Sequence, residues 1–310
     1  MTITVIGHLC FDLLTDRDGN VARSPGGIIY STLALANLLQ PNDIIYPVFG
    51  VGKNDYDVVF SLLSQYPNIS TDGVFKFSGP TNEVSLFYLD DGRRVEQSLN
   101  ISEPIPYKKI RPHTKSDIIL VNMISGSDIS LESLDEIRMD VREQHTPVYF
   151  DLHSLSLGID DKSFRVRRPL ETWRRWLFWV HAVQMNEEEA SHLTPEHHSE
   201  IMLAKHVLAL NTGTLIITRG EKGYSAFIDH HKQIERIDGA GISQSTPLDP
   251  TGCGDVFAAA YCAHFGTSKN IAEALGFANT VAALNAELRG SGELDKLSTF
   301  RIISKESLQR

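Results

Sequence analysis

The sequence predicts an α/β protein with a mainly parallel sheet, and three observations carry that prediction. Short β-branched runs alternate with longer stretches of helical period along most of the 310 residues. Hydrophobic residues make up 42% and charged residues 22%, the balance of a chain that buries an ordinary globular core. No internal repeat, low-complexity tract or Pro/Ser-rich linker divides it, so residues 1–310 read as a single domain.

In chain order, strands are expected at 2–7, 44–50, 117–123, 147–152, 182–186 and 214–218, and helices at 27–39, 55–65, 131–143, 198–210, 252–265 and 270–287. Two early segments break the alternation. In 9–23 the dipeptide Asp18-Gly19 lies between extended residues, and in 87–99 Asp91-Gly92 does the same, each the signature of a hairpin turn. With 73–77 they are assigned to a small antiparallel sheet, a lid formed by about 9–25 and 73–99. Beside the carboxyl ends of a parallel sheet, such a lid is placed to close over a ligand. The same sheet would also suit a purely structural or dimer-forming role.

Charge and cysteines narrow the partners. Lys+Arg 29 against Asp+Glu 39 leaves a net charge of −10, the wrong sign for binding nucleic acid or an anionic membrane. A small basic site within an acidic protein still leaves room for a phosphorylated metabolite. Cys10, Cys253 and Cys262 show no CxxC spacing, which fits a reducing, cytoplasmic setting rather than a disulfide or zinc framework. The opening MTITVIGHLCFDLL lacks the basic start of a signal peptide, and no apolar run is long enough to span a bilayer.

The segment LDPTGCGDVFAAAY, 248–261, carries the most chemistry. Gly252 and Gly254 flank one small residue directly before an Ala-rich helix, so uncovered backbone N–H groups point out of a helix N-terminus and suit an anion. Asp255 falls in the first turn of that helix, facing whatever the glycines hold. Together they supply an anion cradle and a candidate base, the two parts needed to pass a phosphoryl group to an alcohol. A plain turn with Asp255 as a helix-terminal carboxylate would read the same way.

DPTGCGDVFAAAY resembles the C-terminal signature of the ribokinase-like, PfkB-type kinases, whose usual form has Ala where Cys253 stands and Thr where Pro250 stands. VIGHLCFD with SPGGIIYSTLALANL is similar to that family's first strand, substrate Asp, Gly-Gly pair and following helix. VFGVGKNDYDVV resembles its next strand-turn-helix, MNEEEA its Asn-x-x-Glu motif, and IITRGEKGYSAF its nucleotide-binding strand-turn-strand. The resemblance implies a three-layer α/β/α fold with a small β-sheet lid, and phosphorylation of a hydroxyl on a small sugar or polyol.

It further implies ATP and Mg2+, with a monovalent cation as a further candidate. Asp255 would be the base, and the amides of Gly252, Cys253 and Gly254 would stabilise the transferring group. Asn186 and Glu189 would order the metal and its waters, Glu189 acting through water. Thr218, Gly220 and Gly223 would border the nucleotide, and Asp12, Gly26, Gly27 and Ser31 would meet the acceptor. Ser31 replaces the more usual Asn, and the IIYS form resembles a branch that includes inositol-type kinases. A nucleoside kinase, and a silent sugar- or nucleotide-binding regulator, remain alternatives. A homodimer through the lid is the expected assembly.

Other features read as structural. Asn186 would equally cap the helix bearing Glu187, Glu188 and Glu189. His192, His197 and His198, interrupted by Thr194-Pro195, suit a surface turn. Arg165, Arg167, Arg168, Arg174 and Arg175, interleaved with Trp173, Trp176 and Trp179, are expected on an amphipathic helix with a solvated Arg face. His153 is a candidate ligand contact, and His8 a packed residue.

Overall fold

The computed structural model describes residues 1–15, 21–88, 94–230, 233–243 and 249–302. The turns expected at Asp18-Gly19 and Asp91-Gly92 lie outside them.

The chain opens with β1 (Thr2–Ile6), β2 (Leu9–Thr15) and β3 (Val21–Gly27), which runs straight into α1 (Ile28–Leu38). Then come β4 (Ile44–Gly52), α2 (Tyr56–Leu63), β5 (Val74–Phe77), β6 (Asn82–Tyr88), β7 (Arg94–Leu99) and the short α3 (Tyr107–Ile110). The middle of the chain holds β8 (Ile118–Asn122), α4 (Leu131–Arg142), β9 (Val148–Asp151), β10 (Leu157–Ile159), β11 (Arg165–Arg167) and α5 (Trp173–Leu177). The last third holds β12 (Ala182–Asn186), α6 (Glu187–His192), α7 (Glu200–Leu208), β13 (Thr214–Thr218), β14 (Gly223–His230), β15 (Gln233–Ala240), α8 (Cys253–Ser268) and α9 (Ile271–Asn285).

The main sheet has the order β15-β14-β13-β12-β9-β8-β1-β4-β5. From β13 to β5 every pairing is parallel, while β14 and β15 add antiparallel at one edge. Parallel strands covered on both faces should read as continuous apolar runs, and ITVI, IILVN and VYFD do so. β8 and β9 are buried at every position. The core is accordingly a sheet sandwiched between helices, with α8 packed against both α1 and α9. Carboxyl ends of β1, β8, β9, β12 and β13 share one edge, where ligands of open α/β sheets sit.

The expected strands and helices of the main domain are all present, with ends that agree to within three residues. Three expectations need correction. Residues 73–77 do not belong to the lid, because β5 pairs in parallel with β4 at the edge of the main sheet. The separate four-stranded sheet is β3-β2-β6-β7, and it is mixed rather than antiparallel, since β2 and β6 run parallel between two antiparallel pairs. A short strand pattern alone does not tell a strand that joins β4 from one that joins β6.

The Arg/Trp run is also not one helix. Only Trp173–Leu177 is helical, with Trp173 and Trp176 buried; Arg165 and Arg167 lie on β11, which pairs with β10. Their guanidinium groups make ion pairs with Glu96 and Glu188 rather than facing solvent.

Candidate active site

A cleft of about 750 Å³ opens along the carboxyl edge of the main sheet, within the usual range for small-molecule sites. A smaller cavity of about 70 Å³ lies beneath the lid strands. The two meet at Asp255, Gly252, Thr251, His153, Arg165 and Glu96, which line both.

Asp255 is buried in the first turn of α8. Gly252, the residue preceding the helix, adopts a left-handed φ of 76°, and a Cβ there would come within 2.2 Å of the Tyr30 ring. Glycine is thus required at 252 on two counts, conformation and contact. The Cys253 amide is already taken by the Pro250 carbonyl at 3.2 Å. Of the three amides expected to form a cradle, that of Cys253 is therefore engaged within the turn. The Cys253 thiol, pushed up to about 11 mainly by burial, is held by Asn285.

Burial, reinforced by the charges of Asp12 and Asp128, pushes the Asp255 carboxyl up to about 7. Against this, Asn122 Nδ2 donates to Asp255 Oδ1 at 2.6 Å. Ser31 is fully buried and lines neither cavity. It accepts from Asn122 at 3.1 Å and donates to the Asp255 backbone carbonyl at 3.3 Å. The substrate contact expected of Ser31 is therefore not what the geometry offers. It stands behind Asp255, and Asn122 shares that task.

Asp12 lines the small cavity together with Gly27 and Tyr30. Gly26 does not line it; a Cβ at Gly26 would meet the Asp12 carboxylate at 2.2 Å. The room that Gly26 provides is for Asp12, not for a substrate ring. Val84 and Leu86 of the lid complete an apolar floor with Cys10 and Ile124.

Along the large cleft lie Asn186, Glu189, Thr218, Gly220 and Gly223. Asn186 and Glu189 form a reciprocal capping box, the Asn186 side chain accepting from the Glu189 amide while Glu189 accepts from the Asn186 amide, both at 2.8 Å. Glu189 is buried, and desolvation pushes its carboxyl up to about 7. Gly220 and Gly223 have φ of 53° and 90°, and a Cβ at Gly223 would strike the Gly239 carbonyl. The far wall of the cleft is made of small residues of α9, Ala282, Ala283 and Ala286, with Ile242 also lining it.

Sequence reasoning missed Asn122, Asp151, Arg165 and Gln184. Asn122 and Asp151 each end a strand of the main sheet, a position that could have flagged them. Asp151 is buried, with its carboxyl held far above the usual carboxylate range by desolvation and then by Asp255 and Glu189. Gln184 bridges the Tyr149 hydroxyl and the Gly254 carbonyl. His8 is packed, as expected, with its ring on Ser125. Among the described residues no group of three or more His, Cys, Asp or Glu could hold a metal, and no helix is long and apolar enough to cross a membrane.

Residues 158–297 match the model of the pfkB family carbohydrate kinases. They include the Asn186/Glu189, Thr218–Gly223 and Gly252–Asp255 segments. Solved ribokinase-family structures superpose on nearly the whole chain. That of Thermotoga maritima ribokinase does so with a TM-score of 0.72 at 18% identity, over 100% of this chain and 98% of that one. The fold is ribokinase-like, and the 158–297 segment matches the pfkB family.

Arabidopsis thaliana ribokinase complexed with ribose and ATP is similar to this ribokinase-like chain at a TM-score of 0.70 and 19% identity, over 96% and 98% of the two chains. A pyrophosphate-dependent kinase in the ribokinase family, solved with sulfate, reaches 0.78 at 16% identity over 95% and 99%. In sequence, ribokinase of Bacillus subtilis (strain 168) is 38% identical over 102 residues, which are 32% of this chain and 31% of that protein. The ribokinase-like chain thus aligns with about a third of that curated relative. The N-terminal motifs around Asp12 and Gly26-Gly27 fall outside the family match, and there the likeness is one of fold.

Proposed function

We propose that this chain transfers the terminal phosphoryl group of ATP to a hydroxyl of a small sugar or polyol. The observation that carries this reading is the position of Asp255: a buried carboxylate, titrating near neutrality, at the junction of a large donor-sized cleft and a small cavity under the lid. In this reaction the acceptor hydroxyl lies in the small cavity against Asp12, and Asp255 removes its proton as the oxygen attacks. Gly252 and Gly254, at the start of α8, face the charge on the transferring group. Because attack and leaving oxygens need only be held in line, positioning by these groups is most of the catalysis.

Magnesium, when bound, would neutralise the phosphate oxygens. Glu189 and Asp151 fit that task from a distance: both are buried carboxylates on the cleft, and Asp151 Oδ2 has no protein partner. With no closed set of ligands among the described residues, they would act on metal-bound water, as suits an ion held largely by phosphate.

ATP rather than pyrophosphate is favoured by the size of the cleft. At about 750 Å³, lined by Ala282, Ala283 and Ala286 as well as Gly220 and Gly223, it has room for a nucleoside that a bare pyrophosphate would leave empty. The test is a matrix of donors against acceptors: ATP and pyrophosphate, each with pentoses, hexoses, inositols and nucleosides. Turnover with ATP and a sugar or polyol is expected. Turnover confined to nucleosides, or to pyrophosphate, would replace the reading with that chemistry, and binding without turnover would make the chain a regulator.

A further inference from the structure

Arg165 is the one arginine or lysine that lines both cavities among the described residues, and nothing in the chemistry above uses it. Its side chain is only 7% exposed. On one side it holds the lid: Nε donates to Ser98 Oγ at 2.6 Å and Nη1 to Glu96 Oε2 at 3.2 Å, both on β7. On the other it reaches the main domain, where Nη1 donates to Ser154 Oγ at 2.6 Å and Nη2 to the Ile124 carbonyl at 3.3 Å. The Ser154 hydroxyl in turn bonds His153 Nδ1 at 2.8 Å, and His153 Nε2 lies 3.9 Å from Asp255 Oδ1.

His153 is held in that place at some cost. Its φ is 40°, a left-handed conformation that a non-glycine residue adopts only when its surroundings impose it. The Ser154 amide is tied to the Met123 carbonyl at 2.9 Å, and Ser154 is buried. An imidazole carried on strained backbone is therefore aimed at the carboxylate by a buried hydroxyl, which is itself oriented by a guanidinium anchored on the lid.

We propose that Arg165 is a positioning residue that ties lid strand β7 to the base, acting through Ser154 and the His153 ring. The proposal rests on the reading of Asp255 as the base. Planar, with several donors in a fixed fork, guanidinium can bind Glu96, Ser98 and Ser154 at once, which a lysine ammonium does less well. The expected result of loosening the chain is a misplaced acceptor and base: kcat falls, and more of the donor is lost to water, while donor binding is unaltered.

The test compares Ser154→Ala, Arg165→Lys and Arg165→Met with the parent, measuring kcat, both KM values and the ratio of donor hydrolysis to transfer. Ser154→Ala removes one hydroxyl and leaves the fold's backbone bond intact. It should lower kcat by roughly ten- to a hundredfold, raise the hydrolysis ratio and keep the donor KM within about twofold. Arg165→Lys should recover part of the kcat that Arg165→Met loses. A parental kcat and hydrolysis ratio in Ser154→Ala would overturn the proposal, as would Lys and Met losing activity alike. Asp255→Asn separates this from the underlying reading: full turnover there would refute Asp255 as base, whereas its loss beside an unaffected Ser154→Ala would refute only the positioning chain.

Discussion

Asn122 donates to Asp255 at 2.6 Å from the last residue of β8, so the end of one buried strand sets the charge state of the first turn of α8. Without that bond, burial and the charges of Asp12 and Asp128 would hold the proton on Asp255 to a higher pH. With it, the carboxyl titrates at about 7. A base is most effective when its pKa lies near the working pH, and the amide supplies that adjustment.

Replacing Asn122 by leucine should therefore move the acid limb of the kcat/KM profile upward. The amide favours the ionised form, so its loss raises the pKa, and a bond to a charged group is worth roughly 1.5 to 3 kcal/mol, or about one to two pH units. A limb left at the parental pH would show that Asn122 does not tune the base.

Asp255→Asn should lose about 10²- to 10⁴-fold in kcat and yet gain stability at high pH. The sign follows from the raised pKa. Between the unfolded value of 3.8 and about 7, the folded protein keeps a proton the unfolded chain has lost, so stability falls as pH rises through this window. The full cost is borne above pH 7, where the neutral amide avoids it, and three units at about 1.4 kcal/mol set an upper bound of about 4 kcal/mol. Thermal melts at pH 8 should favour the variant, and melts near pH 4 should show little difference. A lower melting temperature at pH 8 would contradict the buried-charge account.

The strands of the main sheet were legible because strands buried on both faces announce themselves as unbroken apolar runs, as in IILVN and VYFD. The glycine turn that opens α8 was legible because closely spaced glycines directly before an Ala-rich run mark a helix N-terminus. What escaped the sequence were residues whose role comes from tertiary neighbours. Ser31 sits one helical turn into α1, where nothing local reveals that Asn122 and the Asp255 carbonyl enclose it. Arg165 looks like one of five arginines in a basic run until β11 brings it beneath β7. Gly26 follows the same rule, its neighbour across β2 and β3 being a carboxylate that sequence distance hides.

Glu189→Gln should raise the magnesium concentration needed for half-maximal rate while leaving the acceptor KM little changed. Glutamine keeps an acceptor for the Asn186 amide but loses the charge, so capping is retained in part and metal ordering is not. An unchanged magnesium dependence would confine the pair to the capping box already visible at the start of α6.

Asp12 should recognise the acceptor, and Gly26 should be needed for it to do so. Asp12 is buried under the lid, lines the small cavity rather than the large cleft, and is bonded by Cys10 Sγ at 3.6 Å. Its two oxygens can accept from neighbouring hydroxyls, and charge-assisted bonds of this kind are worth roughly 1.5 to 3 kcal/mol each. Asp12→Ala should thus raise the acceptor KM by at least about tenfold and barely alter that for the donor. Gly26→Ala should act in the same direction without touching the carboxylate's chemistry, because the new methyl would occupy the space in which the carboxylate lies, 2.2 Å from Oδ2. Measuring both variants against both substrates separates the two ends of the site: a rise in the donor KM instead would mean that the lid covers the nucleotide, and the assignments of the two cavities would have to be exchanged.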